Sequence, residues 1–310
     1  MKASVIICTR DRCANVLATL QALKSVRIPD GLEAEFLFVD NGSSDATAEE
    51  LPRALESLPG GRYLREDRRG KSSALNTGLA QSDGGIVILT DDDIRPKGNW
   101  IEGLTGEIAQ GRADAAAGTV VLAPHLRRRW MGATHKAWLA CTESLDPVHP
   151  ATAVGANMAF HRRVLEKVPG FDVELGPGKL GLWEDTLFSM QLVDAGFRLC
   201  RAQDGVVEHW FDEDRLLREA FLNYARMEAR SAAYVAWHWS GNLERLGAAR
   251  LARYRLELAA KRILRWNDWH QREGAPEWEL FLLSTFYQDS AARDVTRQPR
   301  SYLRKGVTTN

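Results

Sequence analysis

Ile86-Val87-Ile88-Leu89-Thr90-Asp91-Asp92-Asp93, followed by Ile94-Arg95-Pro96, is the stretch that decides the reading of this chain. A short apolar run reads as a buried strand, and here it passes straight into three carboxylates. Three acidic side chains at one strand end repel each other unless water, hydrogen bonds or a cation screens them. Hard cations such as Mg2+ or Mn2+ take carboxylate oxygens and share them with substrate phosphates. The plainer alternative is an acidic loop that caps a helix, because Asp favours helix N-termini.

Upstream, the same pattern repeats. Ser4 to Cys8 is an apolar strand followed by the polar Thr9-Arg10-Asp11-Arg12, and Val16, Leu20 and Leu23 then recur at helical spacing. Glu35 to Val39 is a second strand ending at Asp40-Asn41-Gly42-Ser43-Ser44-Asp45, with a helix near 47–58 after it. Tyr63-Leu64 marks a third strand, and Gly70-Lys71-Ser72-Ser73 introduces a helix to about Ala80. Strands alternating with helices imply parallel βαβ units, whose ligands sit at the carboxyl ends of the strands. Three such ends carry Thr9, Arg10 and Asp11, then Asp40, then Asp91 to Asp93. Farther on, Leu187 to Asp194 reads as a helix stopped by Gly196, and Val206 to Glu208 as a strand that delivers His209 to a loop.

The chain's 310 residues are enough to bury a sizeable core, in one large domain or a domain with an appendage. Its 41 basic and 41 acidic residues cancel, so no global field favours nucleic acid. Cys8, Cys13, Cys141 and Cys200 lack CxxC spacing and read as reduced thiols. No apolar run approaches the roughly 18–20 residues that span a bilayer, and the N-terminus has no signal-peptide pattern. A cytoplasmic protein is expected. The texture changes near residue 212. Residues 213–310 read as long helices with 17 Lys/Arg against 12 Asp/Glu and five of the ten tryptophans. The expected division is therefore 1–212 and 213–310. The basic, Trp-rich second part has three readings: a solvated helical face, a peripheral contact with anionic lipid on the cytoplasmic face of a membrane, or a homodimer or acceptor-binding surface.

With these pieces in order, residues 3–210 resemble a family-2 glycosyltransferase with a GT-A fold. The resemblance rests on Ser4 to Arg12, Val39 to Asp45, Gly70-Lys71-Ser72-Ser73-Ala74-Leu75-Asn76, Thr90 to Asp93, Gly155-Ala156-Asn157-Met158-Ala159-Phe160, and Gly170-Phe171-Asp172 followed by Trp183-Glu184-Asp185. It implies an α/β fold: a mixed, mostly parallel sheet flanked by helices. It also implies that Thr9, Asp40 and either Arg10 or Asp11 recognise the nucleotide base and ribose, and that Lys71, with Arg69, lies near the base or phosphates. The acidic triplet matches the family's DxD element, with Asp91 toward the ribose, Asp92 in the nucleotide site and Asp93 on an Mn2+ or Mg2+ ion. His209 matches a histidine that completes the metal site. Asp185, beside Glu184, matches the catalytic base of the family's ED motif. Asn157 reads either as a contact to the donor sugar or as an amide tying down a loop, and Trp183 either as a wall of the acceptor pocket or as core.

The chemistry agrees with that resemblance. Cleaving a sugar–diphosphate bond builds negative charge on the leaving nucleotide, which a cation across two phosphates stabilises. The acceptor hydroxyl loses a proton during attack and needs a carboxylate in reach. One base without a covalent nucleophile implies single displacement with inversion. The expected function is transfer of a single sugar from a UDP, GDP or dTDP donor to a saccharide, lipid-linked or small-molecule acceptor. Two rivals stand beside it. A sugar-1-phosphate nucleotidyltransferase is disfavoured because Cys8 to Arg12 contains no glycine, and a catalytically inactive carbohydrate-binding or scaffold relative because Asp93, Asp185 and His209 are all present. Arg265-Trp266 is similar to the RW of the QxxRW motif of processive synthases, but residue 262 is Arg, so processive synthesis is not expected.

Overall fold

The computed structural model describes residues 1–143, 152–269 and 271–304. By contacts the chain forms two compact units. The first comprises residues 1–127, 139–179 and 184–211; the second comprises 128–138, 180–183 and everything from Asp212 onward.

The first unit is built on an eight-stranded sheet. Its opening half is β1 (Lys2–Thr9), α1 (Cys13–Leu23), β2 (Glu33–Asp40), α2 (Thr47–Leu55), β3 (Gly61–Arg65), α3 (Lys71–Gln81) and β4 (Ile86–Asp91). Then come β5 (Ile94–Pro96), α4 (Trp100–Ala109), β6 (Ala115–Leu122), α5 (Ala133–Trp138, a segment of the second unit), β7 (Asn157–His161), α6 (Glu184–Asp194) and β8 (Leu199–His209). The strand order is β3-β2-β1-β4-β7-β6-β8-β5. The β3-β2-β1-β4 half is parallel throughout, whereas β7 runs antiparallel to both β4 and β6.

Side-chain alternation explains why helices cover both faces. Val5, Ile7, Phe36, Phe38, Ile86 and Ile88 point to one face and meet Val16 and Leu20 of α1, Leu51 of α2 and Trp100 and Leu104 of α4. Ile6, Leu37, Val39, Val87 and Leu89 point to the other and meet Leu75 and Leu79 of α3 and Phe188 and Leu192 of α6. Register then aligns the strand ends. Thr9 pairs with Asp40, Cys8 with Asp91, Thr90 with Asn157, and Ile94 with His209.

The second unit is helical: α7 (Arg218–Val235), α8 (Ala248–Leu264), the short α9 (Trp266–Trp269), α10 (Glu277–Val295) and α11 (Ser301–Arg304), with α5 and residues 180–183. The small residues Ala225, Ala229 and Ala233 recur every four residues along the buried stripe of α7, letting α10 approach closely. Glu279 of α10 is fully buried and takes Arg218 at 2.5 Å and Arg262 at 2.7 Å. Two guanidiniums on one carboxylate satisfy a charge that burial alone would make costly.

Candidate active site

The acidic strand end comes apart into separate roles. Asp91 ends β4 and stays partly exposed, while Asp92 and Asp93 are buried. Successive residues turn in different directions, so the three carboxylates do not act as one cluster. Asp92 faces the loop after β1, where it accepts from Thr9 Oγ1 at 2.7 Å and from Arg12 at 2.9 Å. Its backbone carbonyl accepts from Thr19 of α1. Burial, opposed by Arg12 and aided by Asp93, pushes the Asp92 carboxyl up to about 7.

Asp93 shares Arg12 with Asp92 and also reaches His209. One oxygen takes Arg12 at 2.8 Å; the other, Oδ1, lies 3.1 Å from His209 Nε2. The His209 Nδ1 is 2.9 Å from the Leu139 carbonyl, which can only accept, so Nδ1 carries a proton and Nε2 is the nitrogen that faces Asp93. A ring nitrogen 3.1 Å from a carboxylate oxygen is held there by a proton or a cation between them. Ligand atoms of Asp91, Asp93 and His209 lie within 4.8 Å of one another. Two carboxylates and an imidazole nitrogen held this way fit a divalent cation.

Lys71, the first residue of α3, follows Gly70, whose φ of +129° suits glycine and whose N–H donates to Asn41 Oδ1. Asn41 also donates to the Glu66 and Arg68 carbonyls, so one amide ties the ends of β2 and β3 to the start of α3. Lys71 Nζ sits 2.5 Å from Asp91 Oδ1 and 3.6 Å from Glu184 Oε1. Burial would lower the Lys71 pKa, but Asp91, Glu184 and Asp185 outweigh it and raise it. Glu184 is itself buried; that burial and the neighbouring Asp185, opposed by Lys71, push it up to about 7. Asp185, in the first turn of α6, is half-buried, with Oδ2 accepting from the Gly155 N–H at 2.7 Å and Oδ1 from the Thr186 N–H.

Several of these residues have partners within the chain that their motifs do not name. Asp91 lies with Asp93 and His209, and Asp92 faces Thr9 and Arg12. Thr9 is itself buried and spends its hydroxyl on that bond. Asp40 is fully buried, with one oxygen on the Ser43 N–H and the other on the Tyr63 hydroxyl. Lys71 faces carboxylates. Asn157 donates to the Thr119 and Gly205 carbonyls and accepts from Trp100 Nε1, so its amide ties these segments together. Gly118 leaves room for it, since a Cβ there would collide with the amide.

Arg10 and Asp11 stay exposed beside the Asp40–Asp45 turn, with Arg10 on the Asn41 carbonyl and Asp11 on Ser44. Arg69 is exposed on the loop before α3. Trp183 lies in the second unit, with a left-handed backbone at φ 77° and its indole N–H on Glu228. Sequence reasoning assigned no role to Arg12 or Asn41. Each follows a strand end in a polar run, which is the signal that could have marked them.

The family model "Glycosyl transferase family 2" matches residues 4–169. "Glycosyltransferase AglE" of Haloferax volcanii is 29% identical over 213 residues, covering 66% of each chain. "Probable glycosyltransferase YdaM" of Bacillus subtilis is 26% identical over 211 residues, 64% of this chain and 48% of that one. The chain thus spans about two-thirds and about half of these relatives' lengths. Among solved structures, a mannosyltransferase from Pyrobaculum calidifontis, in complex with GDP-Man and Mn2+, superposes with a TM-score of 0.56. It is 20% identical, and the match covers 99% of this chain and 76% of that one. GalNAc-T7 with UDP, GalNAc and Mn2+ has a TM-score of 0.54 at 17% identity, covering 73% and 48%. These likenesses show the same fold, a mixed α/β sheet flanked by helices.

Proposed function

The chain belongs to glycosyl transferase family 2, and on that premise we propose that it moves one sugar from a nucleotide-sugar donor to an acceptor hydroxyl, with inversion and with a divalent cation. The observation that carries the reading is the group Asp91, Asp93 and His209, whose ligand atoms gather within 4.8 Å, joined through Lys71 to Glu184 beside Asp185. The similar structures were solved with nucleotide sugars or nucleotides and Mn2+, which supports a nucleotide donor and Mn2+ or Mg2+ here.

When bound, such a cation supplies charge stabilisation for the departing diphosphate. Asp91, Asp93 and His209 would hold it, with Arg12 offsetting the charge of Asp92 and Asp93 on the side away from His209. Exposed Arg10, Asp11 and Arg69 are the proposed contacts for the nucleotide, and Asp40 and Asn41 shape the turn beneath it. Asp185 is the proposed general base. Two backbone N–H groups aim its carboxylate, and Lys71 keeps the surrounding acidic charge tolerable. A single positioned carboxylate acting on the acceptor oxygen gives inversion, so an α-linked donor yields a β-linked product.

Thermal stability measured against UDP, GDP and dTDP sugars, with Mn2+ and with EDTA, tests the binding half. A ligand at about 100 times its Kd adds about 2.7 kcal/mol. The shift should need Mn2+ and vanish in His209→Ala; an equal shift in EDTA would overturn the cation assignment. NMR of the first product tests the other half, and retained anomeric configuration would rule out the single-base mechanism.

A further inference from the structure

The outward side of α8 carries a run of large apolar side chains. Leu251 is the only buried residue of this 17-residue helix. Leu256, Ile263 and Leu264 are 72%, 75% and 82% exposed, and Trp266 just beyond is 58% exposed. At 3.6 residues per turn, Ala249, Ala252, Leu256, Ala260 and Ile263 fall on one stripe, all exposed, with Leu264 at its edge. The inward side carries Leu251 with the half-buried Tyr254 and Leu258. The helix therefore has two apolar sides, and packing within the unit uses only one.

Charge decides what the other side fits. Between residues 245 and 265 there are seven basic residues and one acidic one, Glu257. Lys261 pairs with Glu257 and Arg262 with Glu279. Arg253 stands within the exposed stripe, while Arg255, also exposed, lies over the Phe286 ring of α10 at 4.9 Å. We propose that α8 is an interfacial helix, docking its Leu256–Ile263–Leu264 side on a bilayer surface rich in anionic lipid. An apolar stripe a few ångströms deep, with Arg253 within it on a helix of net positive charge, matches acyl chains below and lipid phosphates above. A second copy of the chain fits less well, because two-fold pairing through this side would set one net-positive helix against another.

The test is flotation of the full chain with phosphatidylcholine vesicles, with and without phosphatidylglycerol, at low and high salt. The chain should float with the anionic vesicles, less so at high salt. Leu256→Gln/Ile263→Gln/Leu264→Gln should lower partitioning at least about tenfold through lost apolar insertion. Arg253→Glu should lower it by about tenfold through lost attraction. All four side chains are exposed, so both variants should melt with the wild type. Equal flotation of wild type and variants would overturn the proposal, as would binding indifferent to phosphatidylglycerol or no flotation at all. A lipid-free dimer abolished by the triple substitution would overturn it in favour of a second copy.

Discussion

Removing the Lys71 charge should cost more than any surface substitution, and the structure sets the scale. Its Nζ lies 2.5 Å from Asp91 and 3.6 Å from Glu184, with a side chain only 18% exposed. At an effective dielectric of about 20, those separations correspond to about 7 and about 5 kcal/mol of attraction. Desolvation of the ammonium and both carboxylates offsets much of that, and breaking such buried pairs costs about 3–5 kcal/mol. Lys71→Met keeps most of the stem and deletes the charge, leaving Asp91, Glu184 and Asp185 to repel one another. In a chain of this size the melting temperature should fall by on the order of 10 °C. Adding Glu184→Gln removes one of the stranded charges and should restore at least about 1 kcal/mol, a coupling readable in a double-mutant cycle by denaturant unfolding. A Lys71→Met protein that melts within a degree or so of wild type would refute the reasoning, as would full additivity with Glu184→Gln.

Three further outcomes follow from the same geometry. Asp185→Asn should lower kcat by about 10²–10⁴ while leaving the Mn2+-dependent nucleotide shift intact; near-normal turnover would remove Asp185 as base. Asn157→Ala strands the Trp100 N–H and two carbonyls, so it should cost about 3 kcal/mol in denaturant unfolding. Normal stability with weakened donor binding would return Asn157 to the sugar. Glu35 is buried, which favours the neutral acid, but Ser4, the Asp83 N–H and Arg62 outweigh burial and hold it at about 2. Because the folded form binds the proton more weakly, Glu35 adds stability above its ordinary pKa of 4.5 that is lost as pH falls toward 2. That contribution is about 3 kcal/mol, and Glu35→Gln should flatten the acid limb of a melting-temperature profile.

The opening sheet was legible from local pattern alone. Apolar runs ending at Thr9, Asp40 and Asp91 have the lengths and breaks of parallel strands, and Val16, Leu20 and Leu23 recur at the spacing that covers a sheet. Strand ends in such a sheet gather on one edge whatever the rest of the chain does, so the neighbourhood of Asp91 to Asp93 was also readable. The direction each acidic side chain takes there was not. Asp91, Asp92 and Asp93 are chemically identical in sequence, yet only their backbone angles and neighbours send Asp92 to Thr9 and Arg12 and leave Asp91 and Asp93 with His209. Lys71 and Asn157 were marked by their motifs, but their side-chain partners lie 20 and 38 residues away or more, and Asp40 meets, besides the nearby Ser43 N–H, the Tyr63 hydroxyl 23 residues on. Partner choice over such separations depends on strand register and burial. A local run of residues encodes the strand; only the packed chain decides which charges meet, because opposite charge and desolvation act through space.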